Sequence, residues 1–122
     1  MEKVRKIHFF RHYFTDFFDS QTKKIQNKID HVLFVVSAAE RIPVKFFEHI
    51  KGTDGLYEIR VEYGGNIYRI FSCFDDGRLV VLFNGFQKKS QKTPPGEIEK
   101  ALKIKAEYSI EKIKSKGHGN KK

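Results

Sequence analysis

The sequence holds one cysteine, Cys73, in 122 residues. A single thiol excludes an internal disulfide framework and a Cys-rich zinc site. A reducing cytoplasm is therefore the expected compartment. No apolar run approaches the roughly 18 residues that a membrane-spanning helix needs. The opening residues, Met1-Glu2-Lys3-Val4-Arg5-Lys6, are charged and lack the apolar stretch of a secretory signal, so no leader is expected. No internal repeat and no linker divides the chain. Its length fits one domain that buries about two-thirds of its unfolded surface. That is enough for one core, but too little for a large cofactor cradle and a lid together. Hydrophobic residues at 39% and charged residues at 32% oppose wholesale disorder. We expect a single domain over residues 1–116 and a disordered basic tail over 117–122.

Acidic residues are scarce where basic ones are dense. Residues 88–122 hold 11 Lys/Arg against 4 Asp/Glu, a net of +7. Residues 1–87 hold 13 against 11, a net of +2. Most of the chain's +9 thus lies in its last 35 residues. Such a segment suits phosphate contacts, an acidic partner or a solubilising tail.

The pattern along the chain implies an α+β order. Lys3 to Phe10 is short and weakly alternating, as in an edge strand. From Thr15 to about Ala39, apolar residues recur at helical spacing: Phe14, Phe17, Phe18, Ile25, Ile29, Val32, Leu33 and Val36. Thr15 or Asp16 can cap this helix. Pro43 can open a second, short helix over Val44 to Ile50. The period then changes to two, giving strands Leu56–Tyr63, Ile67–Phe74 and Arg78–Gln87. Gly64-Gly65 and Asp76-Gly77 suit two-residue hairpin turns between them. Thr93 as N-cap and Pro94 at the first helical position start a last helix. Its expected stripe is Ile98, Ala101, Leu102, Ala106, Ser109 and Ile113.

Those turns fix a register. With Gly64-Gly65 at the turn, Arg60 lies opposite Arg69. With Asp76-Gly77 at the next, Arg69 lies opposite Asn84. One sheet face then carries Tyr57, Ile59, Val61, Tyr68, Ile70, Phe74, Leu79, Val81 and Phe83, and helices should cover it. The other face is mixed. Glu58, Arg60, Glu62, Arg69, Phe71, Asn84, Phe86 and Lys88 lie toward its polar end. Leu56, Cys73, Val80 and Leu82 lie toward its apolar end. Facing arginines cost energy unless an anion, Glu58 or Glu62 offsets them. Such a face is either a solvated surface with local ion pairs or a phosphate-binding surface edged by Lys88, Lys89 and Lys92. Those three lysines also precede a helix N-terminus, where an anion is favoured.

Other constellations are weaker. His8, His12, His31, His49 and His118 have no cysteine or carboxylate cluster with them, so no metal site is expected. Cys73 reads as a small apolar residue. Asp75-Asp76 is turn chemistry. No Ser-His-Asp arrangement can be traced. Gly64-Gly65 joins two strands and is not a phosphate loop. Phe14, Phe17 and Phe18 fit helix packing, whereas Phe71 and Phe86 fall on the arginine face.

Three runs together resemble a known family. They are Gly55-Leu56-Tyr57-Glu58-Ile59-Arg60, then Tyr68-Arg69-Ile70-Phe71, then Leu82 to Pro94 with Phe86-Gln87-Lys88-Lys89-Ser90-Gln91-Lys92-Thr93 inside it. In this order they resemble the HigB-like, phage-related branch of the RelE/ParE toxin superfamily, over about residues 13–110. The resemblance implies a compact RelE-like (microbial RNase-like) α+β fold. A small antiparallel sheet would be backed by two N-terminal helices and bear a C-terminal helix. It implies a cytoplasmic type II toxin that cuts mRNA on the ribosome without metal or other cofactor, and a small helix-turn-helix antitoxin. By this resemblance Arg60, Arg69, Lys88, Lys89 and Glu58 are the candidate catalytic residues. Phe71, Asn84, Phe86 and Lys92 are the candidate RNA-binding residues. Some HigB-type toxins carry histidines and an acidic-aromatic cluster near the C-terminus. No such cluster is visible here, which favours activity that depends on ribosomal RNA geometry. A gyrase-inhibiting ParE-like toxin and an inactive antitoxin-binding module are the alternatives. A membrane partner is not expected.

Overall fold

The computed structural model describes residues 3–89 and 94–119. The expected N-cap Thr93, the candidate Lys92 and the last three tail residues lie outside the described residues. The chain runs β1 (Lys6–Phe9), α1 (Tyr13–Asp19), α2 (Lys23–Ala38), β2 (Phe47–His49), β3 (Tyr57–Tyr63), β4 (Asn66–Asp75), β5 (Leu79–Lys88) and α3 (Pro95–Gly119). The five strands form one sheet in the order β1-β5-β4-β3-β2. The expected antiparallel sheet is in fact mixed, because β1 runs parallel to β5. With helices on both faces, the architecture is α+β and compatible with a compact RelE-like fold.

Three local expectations change. The long N-terminal helix breaks into α1 and α2. Ser20 and Gln21 turn back onto the Phe17 and Phe18 carbonyls. The Thr22 hydroxyl then accepts from the Ile25 amide at 3.4 Å and caps the new start. Neither Thr15 nor Asp16 caps α1; His12 stands at its N-cap, without a side-chain capping hydrogen bond. The short helix expected over Val44 to Ile50 is a turn followed by β2. Pairing with β3 overrides its helical spacing: Phe47 lies opposite Ile59, and its ring stacks on Tyr57 at 4.8 Å. At the last helix, Pro94 supplies the carbonyl that accepts from Glu97, and Pro95 takes the first helical position. The helix also runs to Gly119, past the point where a tail was expected.

The hairpin between β3 and β4 has the expected register, with Tyr63 opposite Asn66 and Arg60 opposite Arg69. Gly64 and Gly65 both have positive φ, as their turn requires. The next hairpin differs. Asp75 pairs with Leu79, so its loop has three residues, Asp76, Gly77 and Arg78. One extra residue moves every neighbouring side chain to the opposite face. Val80 and Leu82 therefore join the first core, while Leu79, Val81 and Phe83 pack on the second face. A bulge between Ile70 and Ser72 then reverses the shift. Beyond it Arg69 lies opposite Phe86, not Asn84, and Ile67 lies opposite Lys88. The bulge thus returns Phe86 and Lys88 to the arginine face.

Two cores result. On one face α1 and α2 bury Phe14, Phe17, Ile29, Val32 and Val36 against Ile59, Val61, Ile70, Val80 and Leu82. Each fully buried large side chain there contributes about 1.5–3 kcal/mol. Gly85 lets Phe17 lie flat on β5; a Cβ at this position would sit 2.5 Å from the ring. On the other face α3 places Ala101 and Ile104 over Phe71, Cys73, Val81 and Phe83. The buried side of α3 is Ile98, Ala101, Ile104 and Tyr108. The expected stripe is shifted: Leu102 and Ile113 are exposed, as are Ala106 and Ser109. At its far end α3 is tied down by Tyr108 and Lys112, both bound to Asp75, and by Glu107, bound to Arg11 and Tyr13. Hence α3 covers the apolar end of the second face and leaves the polar end open.

Candidate active site

The open end of the second face is a cavity of about 450 Å³. Arg60 comes from β3, Arg69 from β4 and Lys88 from the end of β5, with Lys89 just beyond. Gly65, Asn66 and Ile67, at and after the hairpin turn, form the remaining wall. Four cations and no carboxylate line the cavity among the described residues.

Two acids stand behind these cations. Arg69 Nη1 lies 2.6 Å from Glu58 Oε1, with both side chains under one-tenth exposed. This pair is fixed by the diagonal step between β3 and β4. Glu58 Oε2 and Arg69 Nε have no partner among the described residues. The guanidinium is therefore held in place while part of its donor set stays unused. Glu58 is a candidate catalytic residue by the resemblance. It pairs with Arg69 instead and does not reach the cavity lining. Arg60 pairs with Glu62, two residues along its own strand and on the same face.

Lys88 is half-buried and has no ion-pair partner among the described residues. Its pKa is held below the ordinary lysine value. Burial is the main cause and the nearby Arg69 the second, with Arg60 adding to them and Glu58 opposing. Lys89 is exposed at the rim.

The candidate RNA contacts divide. Phe71 is fully buried beneath α3 and stacks on Phe86 at 5.5 Å. It presents no face to a nucleobase. Asn84 is also buried, and its amide donates to Glu97 Oε1 of α3 at 3.3 Å. Phe86 is half-buried, directly opposite Arg69. The sequence reading missed Asn66 as a wall of the cavity. Its position beside the hairpin turn was the available signal.

Away from this site, Cys73 is buried and its thiol pKa is pushed up to about 11, chiefly by burial. Tyr108 is also shifted upward, by burial and by its bond to Asp75. No group of three or more His, Cys, Asp or Glu that could hold a metal ion occurs among the described residues. No helix among them is long and apolar enough to cross a membrane.

Residues 16–106 match the family described as phage-derived protein Gp49-like (DUF891), a span of three-quarters of the chain. No curated protein matches.

Proposed function

Because the chain belongs to the phage-derived Gp49-like family, within the RelE-like superfamily of toxin–antitoxin toxins, we propose that it is a ribosome-dependent mRNA endoribonuclease of the HigB-like kind. The family itself implies a cognate antitoxin. A small helix-turn-helix antitoxin and a cytoplasmic site of action complete the proposal. One observation carries it: Arg60, Arg69, Lys88 and Lys89 converge on one open cavity without a lining carboxylate among the described residues.

RNA brings its own nucleophile to such a site. The 2′-OH attacks the adjacent phosphorus, a bond to O2′ forms and the bond to O5′ breaks. The products are a 2′,3′-cyclic phosphate and a 5′-OH. The protein must align the strand, stabilise the added negative charge and move protons. Arg69, held from behind by Glu58, and Arg60 grip the non-bridging oxygens. Lys88 gives up a proton more readily than an ordinary lysine. It is therefore suited to protonate the departing O5′. Lys89 adds positive charge at the rim of the cavity, and Lys92, outside the described residues, is assigned the same role. Phe86, opposite Arg69 and stacked on Phe71, serves as the aromatic for base contact. Asn84 ties β5 to α3. Glu58 acts as a positioning residue. The 2′-OH proton goes to a group of the ribosome as the O2′–P bond forms. This division of labour is the physical reason for ribosome dependence.

The test uses purified ribosomes programmed with a defined mRNA. The protein should cut only the ribosome-bound message and leave 2′,3′-cyclic phosphate ends. A 2′-deoxy substitution at the cleaved nucleotide, or Lys88→Ala, should abolish the cut. Equal cutting of naked RNA, or cutting that survives the 2′-deoxy substitution, contradicts the proposal.

A further inference from the structure

A second groove adjoins the cavity. It encloses about 190 Å³ and is lined by Lys28 of α2, Lys45 and Phe46 of the turn before β2, and Arg60 and Glu62 of β3. Arg60 lines both spaces.

The groove has a structural cause. β2 pairs with β3 only over Tyr57 to Ile59. One further bond, from the Arg60 amide to the Phe46 carbonyl, ends that contact. Beyond Arg60 the outer edge of β3 is open, and a notch remains between the turn and α2. Two lysines point into this notch from different elements. Lys28 is half-buried, and neither it nor Lys45 has an ion-pair partner among the described residues. Lys45 Nζ lies 4.9 Å from the centre of the Phe46 ring, which restrains the ammonium at the side of the notch. Glu62 is the one acid in the lining, and Arg60 pairs with it. The notch thus carries two cations in excess of its internal pair, on the same side of Arg60 as an open strand edge.

We propose that this notch is a second RNA subsite, which takes backbone phosphates of nucleotides flanking the one held in the main cavity. The inference rests on the RNA-cleaving reading and deepens it. A single strand leaving the main cavity past Arg60 crosses the open edge of β3 and continues to Lys45 and Lys28. Recognition there is of phosphate charge and carries no sequence preference. Arg60 is then the hinge point of the path and touches strand on both sides.

Fluorescence anisotropy with 2′-O-methyl oligouridylates, which cannot undergo 2′-OH attack, tests the inference. The probes are three and twelve nucleotides long, and the variants of the full chain are Lys28→Gln/Lys45→Gln and Lys88→Gln. The double variant should bind the twelve-mer several-fold more weakly and the three-mer as the unsubstituted protein does. Its slope of log affinity against log salt for the twelve-mer should fall by about 1.4, since each single-strand phosphate contact contributes about 0.7. Lys88→Gln should weaken both probes. If the double variant binds the twelve-mer unchanged, or loses both lengths equally, the second subsite is overturned while the first stands. If the unsubstituted protein binds neither probe, the second subsite is likewise overturned; if Lys88→Gln changes neither, the RNA-cleaving reading falls and takes the subsite with it. Matching thermal unfolding of the variants shows that a loss is local.

Discussion

Removing Glu58 should cost far more stability than removing any other acid on the same face. The Glu58–Arg69 pair is 2.6 Å long and both side chains are under one-tenth exposed. Glu58→Ala would leave a guanidinium buried without its counter-charge. Breaking one partner of such a pair costs about 3–5 kcal/mol, against a total stability of about 5–15 kcal/mol for an ordinary domain. Glu62→Ala touches a pair of which the acid is 62% exposed. Exposed pairs contribute about 0–1 kcal/mol. The double variant Glu58→Leu/Arg69→Met removes both buried charges at once and should recover most of the loss, because apolar replacement of a buried pair is often neutral or stabilising. That variant should fold, yet cleave no RNA. Urea unfolding followed by circular dichroism measures all three. A Glu58→Ala loss below about 1 kcal/mol, or a double variant no more stable than the single one, refutes this reasoning about the pair.

Lys88→Met should abolish cleavage while leaving the unfolding midpoint unchanged or higher. Folding lowers the Lys88 pKa. Its charged form therefore weakens the fold at neutral pH, and that penalty fades as pH rises through the lowered value toward the ordinary 10.5. If Lys88 donates its proton to O5′, cleavage should decline as pH rises through the same lowered value. Arg60→Gln removes one of the nearby positive charges, so the alkaline limb of its residual activity should move to higher pH. Cys73, with its thiol pushed up to about 11 and its side chain buried, should resist iodoacetamide at pH near 8 until denaturant is added; labelling is read by mass spectrometry. Gly85→Ala should destabilise by about 1–3 kcal/mol in urea unfolding, since the Phe17 ring must move out of contact.

Much of the site was legible in the sequence because strand parity is robust. The Gly64-Gly65 turn alone places Arg60 opposite Arg69. The second hairpin was misjudged by one residue, which misplaced Leu79, Val80, Val81, Leu82 and Phe83. Lys88 and Phe86 still came out on the arginine face. The three-residue loop shifts parity once and the bulge shifts it back. A bulge has little local signature, so this agreement could not be reasoned from pattern. Phe71 was misread for a different reason. Its alternation correctly put it on the second face, but only the path of α3 decides that this part of the face is covered. Glu58 shows the same limit: its face was legible, its choice of Arg69 over Arg60 was not. The segment from Val44 to Ile50 carried helical spacing, and only pairing to a distant strand made it β2. The approach of Lys28 to Lys45 is likewise a long-range product of packing.

The most direct test of the central proposal is a map of new RNA 5′ ends in cells shortly after the protein is induced. Cuts clustered within translated frames, absent with Lys88→Ala and absent when translation is blocked beforehand, are the expected result. Growth arrest with no new ends contradicts the endoribonuclease reading and turns attention to gyrase. Neither arrest nor cuts would mean a chain that keeps the fold and the antitoxin contact alone.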